Sequence, residues 1–176
     1  SKGIDLPRLS VVGVINADTG LNMPDFSSEE STFQQIYQVT GRVGRGHRLS
    51  KFFIQTRLPE HPVLQAVLNR NWQSFYDTEI YKRKLLKYPP FCYLGTAKIS
   101  KKTADTAQKS AEKSLKLLNE IQGIEILGPT PSFYEYSNGL YTWQIVIKSS
   151  KRSLVLKALG SLPSEWNKQI DPPTLI

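Results

Sequence analysis

Two adjacent prolines, Pro89 and Pro90, lie near the middle of the 176-residue chain and constrain its fold more than any other feature. Proline has no backbone N–H for a helix interior, so the charged helical pattern before this pair must end there. The pattern predicts α/β structure and a helical bridge before the prolines, and a compact α+β unit after them. The expected organisation therefore has three segments: 1–58, the bridge 59–90, and 91–176.

The first segment carries a strand–helix–strand pattern. An almost uninterrupted apolar run rich in Val and Ile, over 8–15, predicts a strand buried on both faces, as in a parallel sheet. A polar stretch separates it from helical spacing over 31–39, which Ser28 or Ser31 is suited to cap. A second strand is predicted over 51–56. This succession indicates part of an α/β layer.

The bridge segment carries two helical stretches. Pro62 suits the first turn of a helix, because its missing N–H would be unpaired there anyway. Trp72, Phe75 and Tyr76 recur at helical spacing in the second stretch. Such a cluster can form a platform for single-stranded nucleic acid. Aromatic side chains bury large apolar areas, however, so the pattern favours a place in the core.

The last segment alternates strands and helices in the order β-α-β-β-α-β, which is the split, ferredoxin-like arrangement. Ser137-Asn138-Gly139 is a hairpin signal between its two middle strands. Gly123 and Gly160 are each expected to end a helix. The predicted elements are a strand over 92–99, a helix over 103–121, a strand broken into 124–127 and 131–136, a strand over 141–148, a helix over 151–159, and a strand over 166–170.

The chain is basic. Lys and Arg outnumber Asp and Glu by 23 to 15, which gives a net charge of +8. Such an excess permits a polyanionic partner without requiring one. Two basic pairs at predicted element ends are candidate phosphate contacts, although a solvated surface is the simpler interpretation: Lys101 with Lys102, and Lys151 with Arg152.

Cys92 is the single cysteine, which excludes a disulfide within the chain and a structural zinc site made of cysteines. His47 and His61 are too few and too isolated to predict a metal site. No apolar run approaches the about 20 residues that span a membrane, and the first residues do not resemble a signal peptide. We therefore expect a cytoplasmic protein without a metal site in this chain and without a membrane partner.

The sharpest local signal is Gln38-Val-Thr-Gly41-Arg42-Val-Gly44-Arg45, at the end of a predicted helix. The two arginines each follow a glycine, so both can project from one short turn whose backbone approaches a ligand closely. Paired guanidinium groups suit the terminal oxygens of a triphosphate and the charge that develops in phosphoryl transfer. The alternative is a glycine-rich surface turn. The glutamine and the preceding helix favour the nucleotide site.

The pattern Q-x-x-G-R-x-G-R resembles motif VI of superfamily-2 helicases. Lys2-Gly3-Ile4-Asp5-Leu6-Pro7, just before the first strand, resembles their motif V. Further segments resemble, in the right order, the primosomal protein N′ (PriA) family of replication-restart helicases. These segments are Asn16-Ala17-Asp18, Pro24-Asp25-Phe26, Tyr88-Pro89-Pro90-Phe91, Tyr141-Thr142-Trp143-Gln144 and Asp171-Pro172. The resemblance covers nearly all of the chain, and the series is more specific than any single motif.

The resemblance implies that 1–58 is part of the second, RecA-like motor lobe of an ATP-dependent 3′-to-5′ DNA helicase. Such an enzyme acts in primosome assembly and in the restart of stalled replication forks. Arg42 and Arg45 would be its arginine fingers, reaching the γ-phosphate of ATP bound with Mg. The other motif residues would support the nucleotide or, for Lys2, the DNA: Gln38, Gly41, Gly44, Gly3, Asp5 and Lys2.

For 91–176 the resemblance implies a domain that binds forked and single-stranded DNA and other primosome proteins. It also implies docking of the acidic tail of single-strand DNA-binding protein, with Trp143 and Gln144 in the docking stretch. The chain departs from the family at Leu140, where an arginine is common, and at Ser27 and Ser31, which replace two arginines.

The sequence contains no G-x-x-x-x-G-K-[ST] phosphate loop and begins inside motif V. We therefore expect a piece of a longer enzyme, with no ATPase activity on its own. ATP and Mg would belong to the intact enzyme, and the zinc ligands that the family carries are absent from this sequence. Two other functions stay open: a stand-alone nucleic-acid-binding module, and an inactive helicase relative.

Overall fold

The computed structural model describes residues 11–41 and 51–176, which form helices and two separate sheets. This mixture of α and β structure confirms the coarse fold class. The described residues form two compact units that meet between Ile80 and Tyr81, inside a helix. The elements are β1 (Val11–Val14), α1 (Asp18–Leu21), α2 (Ser28–Thr40), β2 (Lys51–Ile54), α3 (Pro62–Leu68), α4 (Trp72–Leu85), β3 (Tyr93–Lys101), α5 (Ala104–Leu118), β4 (Glu125–Ser137), β5 (Leu140–Ser149), α6 (Arg152–Ser161) and β6 (Asn167–Ile170).

We call the described residues up to Ile80 the N-terminal unit. Its strands β1 and β2 are parallel, with Val11 opposite Lys51 and Val14 opposite Ile54, which confirms the strand–helix–strand prediction. The predicted burial of the first strand on both faces is wrong, since Val11 is 56% exposed. Helix α2 starts earlier than predicted, and its N-cap is Ser27 rather than Ser28 or Ser31. The core consists of alanine and aliphatic side chains around the Phe33 ring: Ala17, Leu21, Phe33, Ile36, Val63, Leu64, Ala66 and Val67.

Helices α3 and α4 confirm the two helical stretches of the bridge. Pro62 occupies the first turn of α3, and the His61 side chain caps it by accepting the Val63 N–H. In α4 the Phe75 ring stacks on Phe33 at a centroid distance of 4.0 Å. Trp72 and Tyr76, in contrast, are 56% and 51% exposed. The expectation of a core role is therefore wrong for these two, because a helix offers only one face to the core.

Residues 81–176 form the C-terminal unit, which has the predicted β-α-β-β-α-β order. Its sheet has the strand order β4-β5-β3-β6, with antiparallel neighbours throughout. Both β-α-β connections are split, since another strand lies between the two strands that each helix joins. The helices pack on one face of the sheet over a continuous core: Ala97, Ile99, Ala111, Leu118, Ile145, Ile147, Val155, Ala158, Leu159, Leu162 and Trp166.

Three details of this unit differ from the sequence expectation. Strand β4 is continuous over the predicted break, which appears instead as a register shift between Leu127 and Thr130, and a second shift lies between Pro131 and Tyr136. Helix α5 ends at Leu118 with Asn119 as its C-cap, and Gly123 follows with φ +83°. Helix α6 continues through Gly160 to Ser161, because Gly160 does not adopt the left-handed conformation that ends a helix. The hairpin is confirmed, with positive φ at Asn138 and Gly139.

Within 11–41 and 51–176, no helix is both long and apolar enough to cross a membrane. The same residues contain no group of three or more His, Cys, Asp or Glu side chains suited to hold a metal ion.

Candidate nucleic-acid and partner interface

The last turn of α2 leads directly into the glycine–arginine motif. Gln38 is exposed on this turn, and Gly41 caps the helix by donating its N–H to the Tyr37 carbonyl at 3.1 Å. Gly41 has an ordinary helical φ of −66°, so its place here does not depend on the freedom of glycine. The other predicted motif residues lie outside the described residues: Lys2, Gly3, Asp5, Arg42, Gly44 and Arg45.

A cavity of about 160 Å³ lies beside this helix end. It is lined by Tyr37, Thr40 and Gly41 from α2 and by Arg70 from the turn after α3. Arg70 is exposed, with a positive φ of 51°. Sequence reasoning gave this residue no role. The fold therefore adds an arginine to the cavity at the start of the glycine–arginine motif.

A larger polar cavity of about 520 Å³ opens at the carboxyl ends of β1 and β2, which is where ligands bind in open parallel sheets. Asp18 lies on its wall and accepts hydrogen bonds from the Thr56 hydroxyl and, at 2.8 Å, from the Arg57 N–H. The Thr56 bond, followed by the Arg57 bond, holds the pKa of Asp18 below its usual value. The carboxylate thus joins the two loops that follow the parallel strands.

Four of the five predicted DNA-contacting residues lie in the C-terminal unit, at opposite ends of its sheet. Lys101 ends β3, and Lys102 follows it. Lys151 and Arg152 start α6, just after the end of β5. Strands β3 and β5 are antiparallel and paired along their lengths, so the two basic pairs are separated by about 25 Å of strand. The pairs therefore do not form one patch.

At each end of the sheet, one basic side chain is already paired with a carboxylate, which would compete with a phosphate for it. The Lys101 ammonium is 2.6 Å from a Glu165 carboxylate oxygen, and Arg152 Nε donates to Asp171 Oδ2 at 3.0 Å. Lys102 and Lys151 are exposed. These two exposed lysines are the more accessible members of the two pairs.

Trp143 and Gln144, the predicted partner-binding residues, are neighbours on β5 and point to opposite faces of the sheet. Trp143 packs against the helix-covered core, and Gln144 lies on the other face, opposite Lys98 and Thr130. Trp143 Nε1 and Gln144 Oε1 are both buried, and neither has a hydrogen-bond partner among the described residues. Buried polar atoms are normally paired, so these two unpaired atoms are exceptions within the sheet.

Lys148 is the feature of this face that sequence reasoning missed. It is only 5% exposed, donates to the Leu86 carbonyl at 3.2 Å, and lies 3.8 Å from the centre of the Tyr88 ring. Burial lowers the pKa of Lys148 and raises the pKa of Cys92, whose thiol donates to the Lys87 carbonyl at 2.9 Å. These contacts hold the segment after α4 on the helix-free face. The sequence signal for this buried residue was a lysine that follows directly on the apolar run of β5.

Comparisons with known proteins cover both units. A model of the family described as primosomal protein N C-terminal domain matches residues 84–173. A replication restart protein PriA from Synechocystis is 35% identical over 99% of this chain, and one from Bacillus subtilis is 34% identical over 97%. A third, from Thermotoga maritima, is 31% identical over 99%. The chain spans about a fifth to a quarter of these relatives, at 21%, 22% and 24% of their lengths.

Proposed function

The chain belongs to the family of primosomal protein N C-terminal domains, and on that premise we propose that it is part of an ATP-dependent 3′-to-5′ DNA helicase that assembles primosomes at stalled replication forks. The names of the curated relatives support replication restart. For the whole protein we further propose helicase activity, ATP hydrolysis and a cytoplasmic location.

The nucleotide role is supported most directly by the end of α2. A parallel β1–β2 pair flanks this helix, and the helix stops at an exposed Gly41 immediately before Arg42. This arrangement suits an incomplete RecA-like lobe whose motif VI follows the helix. Arg42 and Arg45 would then contact the γ-phosphate of ATP bound with Mg, with Gln38 in support. The bound nucleotide supplies the phosphoryl group, and the arginines offset its charge.

The C-terminal unit would bind forked and single-stranded DNA through its basic residues. Gln144 would lie in the stretch that docks a partner such as the acidic tail of single-strand DNA-binding protein, to whose carboxylates its side-chain NH₂ group could donate. Trp143 would shape the docking stretch from the opposite face, and other primosome proteins are further candidate partners. Zinc would be held by parts of the longer protein outside this sequence.

Arg42→Ala in the full-length helicase tests the motor. An arginine finger contributes about a thousandfold or more to turnover, so we expect a loss of that order in DNA-stimulated ATP hydrolysis, with fork affinity retained. Lys157→Ala is the control, since this exposed cation lies on α6 in the C-terminal unit and belongs to no candidate site. Unchanged hydrolysis by the Arg42 variant would favour an inactive helicase relative. Robust ATPase activity of residues 1–176 alone would contradict the proposed half-site.

A stand-alone nucleic-acid-binding module is the second candidate, because the C-terminal unit has its own core and carries a large positive charge. Binding of the chain to labelled forked DNA and to plain duplex, across a salt series, tests it. Fork-preferring binding that weakens with salt supports the module. Comparing Lys101→Ala/Lys102→Ala with Lys151→Ala/Arg152→Ala then identifies which end of the sheet faces DNA, since each lost phosphate contact lowers the salt slope by about one.

A further inference from the structure

The hairpin between β4 and β5 exposes aromatic rings that the proposed function does not use. Tyr134 and Tyr136 are 65% and 62% exposed, and Phe133 is 45% exposed. The Tyr136 ring lies 4.8 Å from the Tyr141 ring on the paired strand, and the Phe133 and Tyr134 rings meet edge-on at 5.0 Å. We call residues 132–141 the aromatic hairpin. Its rings support one another while presenting their outer surfaces to solvent.

A bulge directs these rings outward. From Pro131 to Tyr136 strand β4 advances five residues, while β5 advances only two, from Trp143 to Tyr141. The extra β4 residues leave the ladder and include Phe133 and Tyr134. Bulges turn side chains away from the regular pleat and are common next to binding sites. Because β4 is an edge strand, no neighbouring strand of this unit covers the bulge on its outer side.

Positive charge accompanies the rings. Tyr141 is directly opposite Lys101 on β3, so the hairpin lies at the Lys101 end of the sheet, with the exposed Lys102 next in sequence. Residues 81–176 contain fifteen Lys or Arg against seven Asp or Glu. Aromatic rings beside cationic side chains are the combination that binds single-stranded nucleic acid, because every base has a face that stacks and every nucleotide carries a phosphate. An apolar protein partner would leave this charge unmatched.

We propose that the aromatic hairpin is a stacking platform for unpaired DNA, with bases on Tyr134 and Tyr136 and the backbone passing Lys102. The proposal rests on the proposed function only in taking DNA as the polyanion. Glu135 lies between the two tyrosines and is the only acidic residue between Glu125 and Glu165. It opposes the phosphates and limits the affinity of the platform.

Binding of residues 1–176 to a labelled oligothymidylate of about 16 nucleotides, measured by fluorescence anisotropy, tests the platform. The double variant Tyr134→Ala/Tyr136→Ala should bind at least about thirtyfold more weakly, because it loses the stacking of two bases. Tyr134→Phe/Tyr136→Phe should retain affinity, since stacking needs the ring and not the hydroxyl group. Tyr93→Ala, an exposed tyrosine at the other end of β3, is the matched control and should bind like the original chain.

Two further measurements sharpen the result. Glu135→Lys should strengthen binding and raise the salt slope by about one. A blunt duplex should show little dependence on the two tyrosines, because its bases are already stacked. The proposal is overturned if the chain does not bind the oligonucleotide, if the Ala variant binds as tightly as the original, or if the Phe variant loses as much as the Ala variant. ATPase activity of the full-length protein is read separately through Arg42→Ala. Oligonucleotide binding that is unchanged by Tyr134→Ala/Tyr136→Ala would overturn the platform alone and leave DNA binding by the C-terminal unit in place.

Discussion

The two units divide the charge of the chain unequally. Residues 1–80 contain eight Lys or Arg and eight Asp or Glu, whereas residues 81–176 contain fifteen and seven, so the whole net charge of +8 falls in the second group. A balanced surface offers no long-range attraction to a polyanion, and a strongly positive one does. The comparison teaches that long-range attraction to a polyanion belongs to the C-terminal unit, whatever the N-terminal unit contributes through individual arginines.

The two sheets also differ in size and in how completely their apolar residues are buried. The N-terminal unit pairs two parallel strands and leaves Ile15 and Phe53 83% and 57% exposed. The C-terminal unit pairs four strands, and Ile145 and Ile147 in the middle of its sheet are fully buried. Parallel sheets are normally covered on both faces, and two strands alone are marginal. The C-terminal unit therefore carries its own stability, and the N-terminal unit has apolar strand surface that a larger sheet would cover.

The largest effect on stability should come from truncating a buried side chain in either core. Ile147→Ala should destabilise the C-terminal unit by about 2–5 kcal/mol, because a fully buried side chain is replaced by a cavity. Leu64→Ala is the matched change in the N-terminal unit, where Leu64 is 1% exposed. Hydrogen exchange should show faster opening only in the unit that carries the variant. Equal loss of protection in both units would break the comparison, since the units would then unfold as one.

A glycine pair in the C-terminal unit gives a smaller and more specific effect. A Cβ at Gly95 would lie 2.7 Å from the Val155 side chain of α6, so Gly95→Ala should cost about 1–3 kcal/mol by crowding the sheet against its helix. Gly160 also lies in this unit but faces open space within α6. Gly160→Ala should stabilise by about 0.5–1 kcal/mol, because alanine favours helix. Thermal unfolding of both variants checks the opposite signs, and a stable Gly95 variant would indicate a loosely packed interface.

The smallest effect is a pH dependence confined to the N-terminal unit. The folded-state pKa of Asp18 is lowered, so the unfolded chain binds its proton first, and the contribution of Asp18 to stability is present above about pH 4 and lost as the pH falls through the folded pKa. Asp18→Asn should therefore lower the thermal unfolding midpoint of this unit at neutral pH. The difference in midpoint between the variant and the original chain should shrink in acid. The midpoint of the C-terminal unit should not respond. A difference that stays constant down to pH 2 would contradict the charge-dependent bonds to Thr56 and Arg57.

Much of the secondary structure and the chain order of the C-terminal unit follow from local patterns. Alternation in β5, the three- and four-residue spacing in α5 and the Asn138-Gly139 turn each act over a few residues, so each is readable along the chain. The prediction that Gly160 ends a helix was wrong because its backbone conformation is not encoded by residue type alone, and Ser27 was missed as the cap of α2 because Ser28 and Ser31 satisfy the same local rule. The family relationship is readable for a similar reason, since it rests on short motifs in a fixed order.

The sequence by itself therefore determined the element order of the C-terminal unit, the parallel β1–β2 pair and the family. Only the tertiary structure decided which residues share a surface. It separated Lys101 from Lys151 along the sheet, sent Trp143 and Gln144 to opposite faces, and left Tyr134 exposed beside a bulge. The physical reason is that strand pairing joins residues about forty positions apart, such as Lys101 and Tyr141, and this pairing depends on burial summed over the whole sheet rather than on any local pattern.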